Sequence, residues 1–136
     1  MTGHPSAKLP SEAAPTVLVV EDEDALRASI RRLLQAEGYN VLEAQNGATA
    51  LHLLEGTAAD EIALVLTDLR MPVMDGRQLA AALARCRPSL PIVFMSGFTA
   101  QLMDLRLVSP NLAFLAKPFR NDDLLATVRR QLGRGV

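Results

Sequence analysis

Short apolar runs alternate along this chain with longer stretches in which apolar residues return every three or four positions. The run 16–20, TVLVV, is β-branched and unbroken, as a strand buried on both faces should be. Leu26, Ile30, Leu33 and Leu34 then recur on one helical face, with Asp24 placed as a cap and Gly38 as a stop. A second strand is predicted over 40–44 (NVLEA). An Asn46-Gly47 turn follows it, then a short helix carrying Leu51 and Leu54 that closes at Gly56. A third strand, IALVLT at 62–67, precedes a helix from about 76 to 85, with Pro88 beyond its end. A fourth strand, PIVFMS at 91–96, leads to a weaker helical stretch over 99–108, and a fifth, LAFLA, spans 112–116. The last helix, from Asn121, turns Leu124, Leu125, Val128 and Leu132 toward the core. Five strands alternating with five helices predict a doubly wound α/β domain, a five-stranded parallel sheet with helices on both faces.

Composition narrows this picture without redirecting it. The 136 residues suffice for one domain with a buried core, and 49% apolar with 21% charged residues is ordinary for a soluble globular chain. A net charge of -1 gives no basic field for nucleic acid, and no apolar run reaches the roughly 20 residues needed to cross a bilayer. The N-terminus lacks the apolar core of a secretory signal, which predicts a cytoplasmic location. Cys86, the single cysteine, cannot form an internal disulfide and is expected to be a small buried residue on an apolar stripe with Leu79 and Leu83. His4 and His52 are isolated and show no metal-ligand or triad spacing. Residues 1–15, rich in Pro, Ser and Ala, are expected to be a flexible extension or linker; 16–133 form the domain and 134–136 a tail.

The chemistry collects where the strands end. In open parallel sheets, ligands bind outside the carboxyl ends of the strands. Strand one is followed by Glu21-Asp22, strand three ends on Asp68, strand four on Ser96-Gly97, and strand five is followed by Lys117-Pro118. One such residue alone is no more than a polar strand end or a turn cap. The whole set places three carboxylates, a hydroxyl and an ammonium on one edge. Clustered carboxylates repel one another, and a hard, oxygen-seeking cation such as Mg²⁺ (or Mn²⁺) relieves that. A carboxylate can also act as a nucleophile and form an aspartyl-phosphate, with phosphoryl transfer depending on positioning and on neutralised equatorial oxygens. Asp68, on the central strand, is the natural nucleophile.

In their order, VLVVEDED, LVLTDLRMPVMDG, FMSGF and FLAKPF resemble the receiver domain of two-component response regulators, over about residues 16–133. The resemblance implies the CheY-like, flavodoxin-like (βα)5 fold, with strand order 2-1-3-4-5 and a cis Lys117–Pro118 bond. It implies that Asp68 accepts phosphate from a histidine kinase or histidine phosphotransfer protein. Asp22, Asp68 and the Arg70 backbone carbonyl would hold Mg²⁺, with Glu21 helping through water. Lys117 would pair with the phosphoryl group. Ser96 would swing toward it and let Phe114 turn inward, altering the surface of the fourth helix, fifth strand and fifth helix, where a downstream protein or a phosphorylation-linked dimer partner would bind. Such a domain is a self-catalysing phosphoacceptor rather than an enzyme in its own right. Glu21 stands where Asp is common, Ser96 where Thr is frequent, and Phe114 lacks the Tyr hydroxyl. Arg70 and Phe98 flank the site and are expected to set the lifetime of the phosphate by controlling attack by water.

Competing readings are weaker on specific residues. A haloacid-dehalogenase-like phosphatase needs a second Asp two positions after the nucleophile, and Arg70 stands there. A flavin site of the flavodoxin kind needs a phosphate loop after the first strand, and Glu21-Asp22-Glu23-Asp24 would repel one. A phosphorylation-independent binding module should have lost part of the pocket, which here is whole. No DNA-binding region is expected after residue 133, and two settings stay open: a free-standing regulator, or the receiver module of a hybrid sensor histidine kinase with 1–15 as its linker. Leu102, Met103, Leu105 and Leu107 exceed what one helix face needs for the core; they either meet a partner or pack beneath the loop at Pro110-Asn111.

Overall fold

The computed structural model describes residues 14–56, 61–71, 73–97 and 112–134. The predicted helix over 99–108, together with Phe98, Leu102, Met103, Leu105 and Leu107, lies outside them. Five parallel strands form one sheet: β1 (Thr16–Val20), β2 (Asn40–Ala44), β3 (Ile62–Asp68), β4 (Ile92–Ser96) and β5 (Leu112–Ala116). Their order is β2-β1-β3-β4-β5, as the resemblance implies. Helices α1 (Asp24–Ala36), α2 (Gly47–Glu55), α3 (Gly76–Cys86) and a C-terminal helix (Asn121–Arg134) complete the described elements.

Side chains alternate across the strands and feed two separate cores. Leu18, Val20, Val65, Ile92 and Phe94 pack with Ala50, Leu54, Leu79 and Leu83 of α2 and α3. Val17, Val19, Leu64, Leu66, Val93 and Met95 pack on the other face with Ile30 and Leu34 of α1 and Leu124 and Val128 of the C-terminal helix. The alternation skips once. Thr16 pairs with Ile62 but Val17 with Leu64, so Ala63 is an extra residue in β3 and Ile62 joins the α2–α3 core together with Val65.

Two details differ from the sequence expectation. Glu23, not Asp24, holds the N-cap of α1 and makes no side-chain cap bond; Asp24 is the first helical residue and pairs with Arg27 instead. Cys86 is exposed rather than buried. It is the last residue of α3, and Leu90 from the following turn joins Leu79 and Leu83 in the core. The Cys86 thiol donates to the Ala82 carbonyl at 3.3 Å. Cap chemistry holds elsewhere. Asn46 accepts from the Thr49 amide, Gly56 ends α2, and Gly38 takes the left-handed conformation, φ 95°, after α1.

The loop between β3 and α3 is pinned at both ends. The Gly76 amide donates to the Leu69 carbonyl at 2.9 Å, the Gly47 amide to the Met74 carbonyl at 2.9 Å, and Asp75 with Gln78 forms a reciprocal capping box. Within it Val73 has φ 70° and is 80% exposed, a left-handed conformation that a β-branched residue disfavours. Val73→Asn is therefore expected to raise unfolding stability by about 1 kcal/mol. Urea titration reads this, and an unchanged or lower midpoint would contradict it.

Candidate functional site

The parallel topology brings the predicted residues to one edge. β1 ends at Val20, and the Glu21 amide is still held by the Ala44 carbonyl of β2 at 3.0 Å, so the acid pair starts where the sheet stops. Asp68 closes β3, the central strand, opposite Met95 of β4, with Ser96 one residue further on. Ser96 is buried and pairs with Ala116, and its carbonyl accepts the Lys117 amide at 2.9 Å, which holds Lys117 on the same edge; the Lys117–Pro118 bond that follows is cis, as the resemblance implies.

Glu21, Asp22 and Asp68 each offer a carboxylate oxygen, all within 4.8 Å of one another. Lys117 Nζ donates to Asp68 Oδ2 at 3.0 Å and to Glu21 Oε1 at 3.2 Å. The other oxygens are also engaged: the Glu23 amide donates to Glu21 Oε2 at 3.0 Å and the Arg70 amide to Asp68 Oδ1 at 3.3 Å. The second bond folds the backbone back over the tip of β3. Oxygen donors only, at this spacing and with net negative charge, fit a small hard cation such as Mg²⁺.

Burial divides the acids. Glu21 is 1% exposed, whereas Asp22 is exposed and Asp68 lies between. Desolvation pushes the Glu21 carboxyl from 4.5 up to about 7; the Asp68 charge adds to this, and the Glu23 amide and Lys117 oppose it without cancelling it. Burial alone would lower the Lys117 ammonium, but its bonds to Asp68 and Glu21 outweigh that and raise it, so it stays charged. Above the unfolded value of 4.5, ionisation of Glu21 favours the unfolded chain, so stability falls as pH climbs toward about 7 and then levels off. Glu21→Gln removes this dependence. In metal-free buffer the variant should gain on the unaltered protein by about 1–3 kcal/mol between pH 5 and pH 8 by urea denaturation. A constant difference across that range would contradict the buried charge.

Phe114 lies away from the carboxylates. Half-buried on β5, it pairs in register with Phe94 and stacks on its ring, with centroids 6.2 Å apart and planes at 22°. Arg70 is exposed at the mouth of the site. Two residues escape a reading of the sequence. Arg27 donates from Nη1 to the Glu21 carbonyl at 2.7 Å, and Glu43 accepts from Arg27 Nε at 3.3 Å and from Arg31 Nη1 at 3.1 Å. An acid inside the apolar β2 run and an Arg three positions after Asp24 were the signals for them.

A five-stranded sheet of this order with an acidic edge defines a CheY-like α/β receiver. The response regulator receiver domain model matches residues 17–129, and the chain belongs to that family, which serves two-component signal transduction. The response regulator receiver protein CpdR of Brucella abortus (strain 2308) is 34% identical over 117 residues, covering 85% of this chain and 95% of CpdR. The sensor kinase CckA of the same organism is 39% identical over 118 residues, covering 86% of this chain but only 12% of the kinase. The crystal structure of a response regulator receiver protein from Sinorhizobium medicae WSM419 superposes with a TM-score of 0.83 at 29% identity, covering 93% of this chain and all of that one. No helix among the described residues is long and apolar enough to cross a membrane.

Proposed function

We propose that this chain is a phosphorylation-activated switch in a two-component phosphorelay, with Asp68 as the phosphoacceptor. The observation that carries the reading is the setting of Asp68: a carboxylate at the tip of the central strand, 3.0 Å from the Lys117 ammonium and grouped with two further carboxylates. An Asp68 carboxylate oxygen attacks the phosphorus of a phosphohistidine on a kinase or phosphotransfer protein. The new P–O bond forms as the P–N bond breaks, and the electron pair returns to the imidazole, which takes a proton. Asp22, Asp68 and the Arg70 carbonyl would hold Mg²⁺, with Glu21 assisting through water. Bound there, Mg²⁺ would neutralise charge on the phosphoryl oxygens. Lys117 pairs with the phosphoryl group, and its charge is kept by the same acids that now hold it. Ser96 reaches the remaining oxygen, and Phe114 follows it inward to change the surface offered to a downstream protein or a second copy. The domain comprises 16–133 and works in the cytoplasm. The likeness to the sensor kinase CckA favours a second setting, a receiver module within a hybrid kinase, in which the same residues take the same roles.

Incubation with acetyl phosphate and Mg²⁺ should add one phosphate to the intact mass, and EDTA should prevent it. Equal labelling in EDTA, or none with Mg²⁺, would overturn the reading. Phosphate lifetime is expected to depend on Arg70, which is exposed at the site, and on Phe98. Replacing both by Ala should change the hydrolysis rate, by about tenfold or about 1.4 kcal/mol in barrier. A phosphate-release assay giving the unaltered rate would remove both from that role.

A further inference from the structure

We propose that Arg27 is a positioning residue for the acid pair, clamping the turn that presents Glu21 and Asp22; its bearing on metal binding rests on the phosphorylation reading above. Three donors of one guanidinium are aimed at three acceptors. Nη1 meets the Glu21 carbonyl at 2.7 Å, Nη2 meets Asp24 Oδ1 at 2.7 Å, and Nε meets Glu43 Oε1 at 3.3 Å. The Arg27 side chain is only 17% exposed although its partner Asp24 is 84% exposed, so the head group is held inward rather than lying along the helix surface.

The Glu21 carbonyl is the first beyond β1, and β2, whose last residue Ala44 still holds the Glu21 amide, ends there. Arg27 supplies the donor the sheet no longer provides. Residue 21 is thereby fixed at four points. Its amide is held by Ala44 of β2, its carbonyl by Arg27 of α1, and its carboxylate by Lys117 and the Glu23 amide. The carboxylates of Glu21 and Asp22 leave the backbone on either side of that carbonyl, so its orientation sets the spacing at which they meet Asp68. Glu43 and Asp24 keep the planar fork from rotating, which lysine, a point charge on a flexible stem, cannot reproduce.

Arg31 separates this role from a simple helix-to-strand tie. It bonds the other oxygen of Glu43 at 3.1 Å from the same helix, whereas the Glu21 carbonyl is bonded by Arg27. Two readouts on the full chain test the clamp. The first is exchange of the Glu23 amide in metal-free protein, followed by NMR, because that amide donates across the turn to Glu21 Oε2. The second is the Mg²⁺ dissociation constant from chemical-shift titration. Arg27→Lys should speed Glu23 exchange about tenfold and weaken Mg²⁺ binding about tenfold, with β1 amides unchanged. Arg31→Ala, which loses the same Glu43 tie, should change neither by more than about twofold. Unaltered values in Arg27→Lys, or equal losses in Arg31→Ala, would overturn the proposal. Faster exchange in Arg27→Lys with no Mg²⁺ binding by the unaltered protein would keep the clamp and overturn the phosphorylation reading instead.

Discussion

Asp68→Asn is expected to abolish phosphate incorporation from acetyl phosphate while leaving a folded domain. Asn matches Asp in shape, so β3 keeps its end and the Arg70 amide keeps an oxygen acceptor at the tip. The amide group has no free carboxylate oxygen to form an acyl phosphate, and labelling should fall by about a thousandfold or more. Lys117 loses one charged partner and retains Glu21, 3.2 Å away. The variant should also lose most of the stabilisation that Mg²⁺ confers. A cation at a hundred times its dissociation constant adds about 2.7 kcal/mol to a protein that binds it only when folded. Removing one of three carboxylates weakens that affinity, so the Mg²⁺-dependent rise in melting temperature should shrink. Labelling of the variant at the original rate would remove Asp68 from its role.

Gly76→Ala should be among the most damaging single-methyl additions the described fold offers. A Cβ at residue 76 would stand 2.6 Å from the Asp68 carbonyl, 2.9 Å from Phe94 Cε1 and 3.0 Å from Leu69 Cα. Two of those atoms are backbone at the tip of β3 and the third belongs to a fully buried ring, so none gives way cheaply. The Gly76 amide bond to the Leu69 carbonyl would stretch at the same time. We expect a loss of about 2–4 kcal/mol in unfolding free energy by urea titration. Phosphorylation should slow as well, since the displaced carbonyl belongs to Asp68 itself. A variant within about 0.5 kcal/mol of the unaltered protein would show that the loop yields freely.

The fold was legible because its signals agree with one another. Each strand is a short apolar run, each helix carries a three-to-four-residue stripe, and Asn46, Asp75 and Gly38 mark ends by local chemistry that needs no tertiary context. The site was legible as a set of residue types after successive strands, since parallel pairing of β1, β3, β4 and β5 leaves their ends little choice of place. What escaped depends on rotation and depth. Cys86 continues a stripe on paper, yet it is the last residue of α3 and exposed, while Leu90 beyond it is in the core. Glu21 and Asp22 look alike in sequence, but in the turn beyond β1 the first is buried and the second is exposed. The Arg27 fork joins groups from α1, β2 and the acid turn, a convergence that no local pattern encodes.

The most direct measurement traps the phosphoryl group where it sits. After incubation with acetyl phosphate and Mg²⁺, borohydride reduces an aspartyl phosphate to homoserine, and peptide mass spectrometry locates the reduced residue. Homoserine at position 68, absent when the donor or Mg²⁺ is omitted, is the predicted result. Homoserine at Asp22 or at any other acid, or none at position 68 in a protein that carries phosphate, would contradict it.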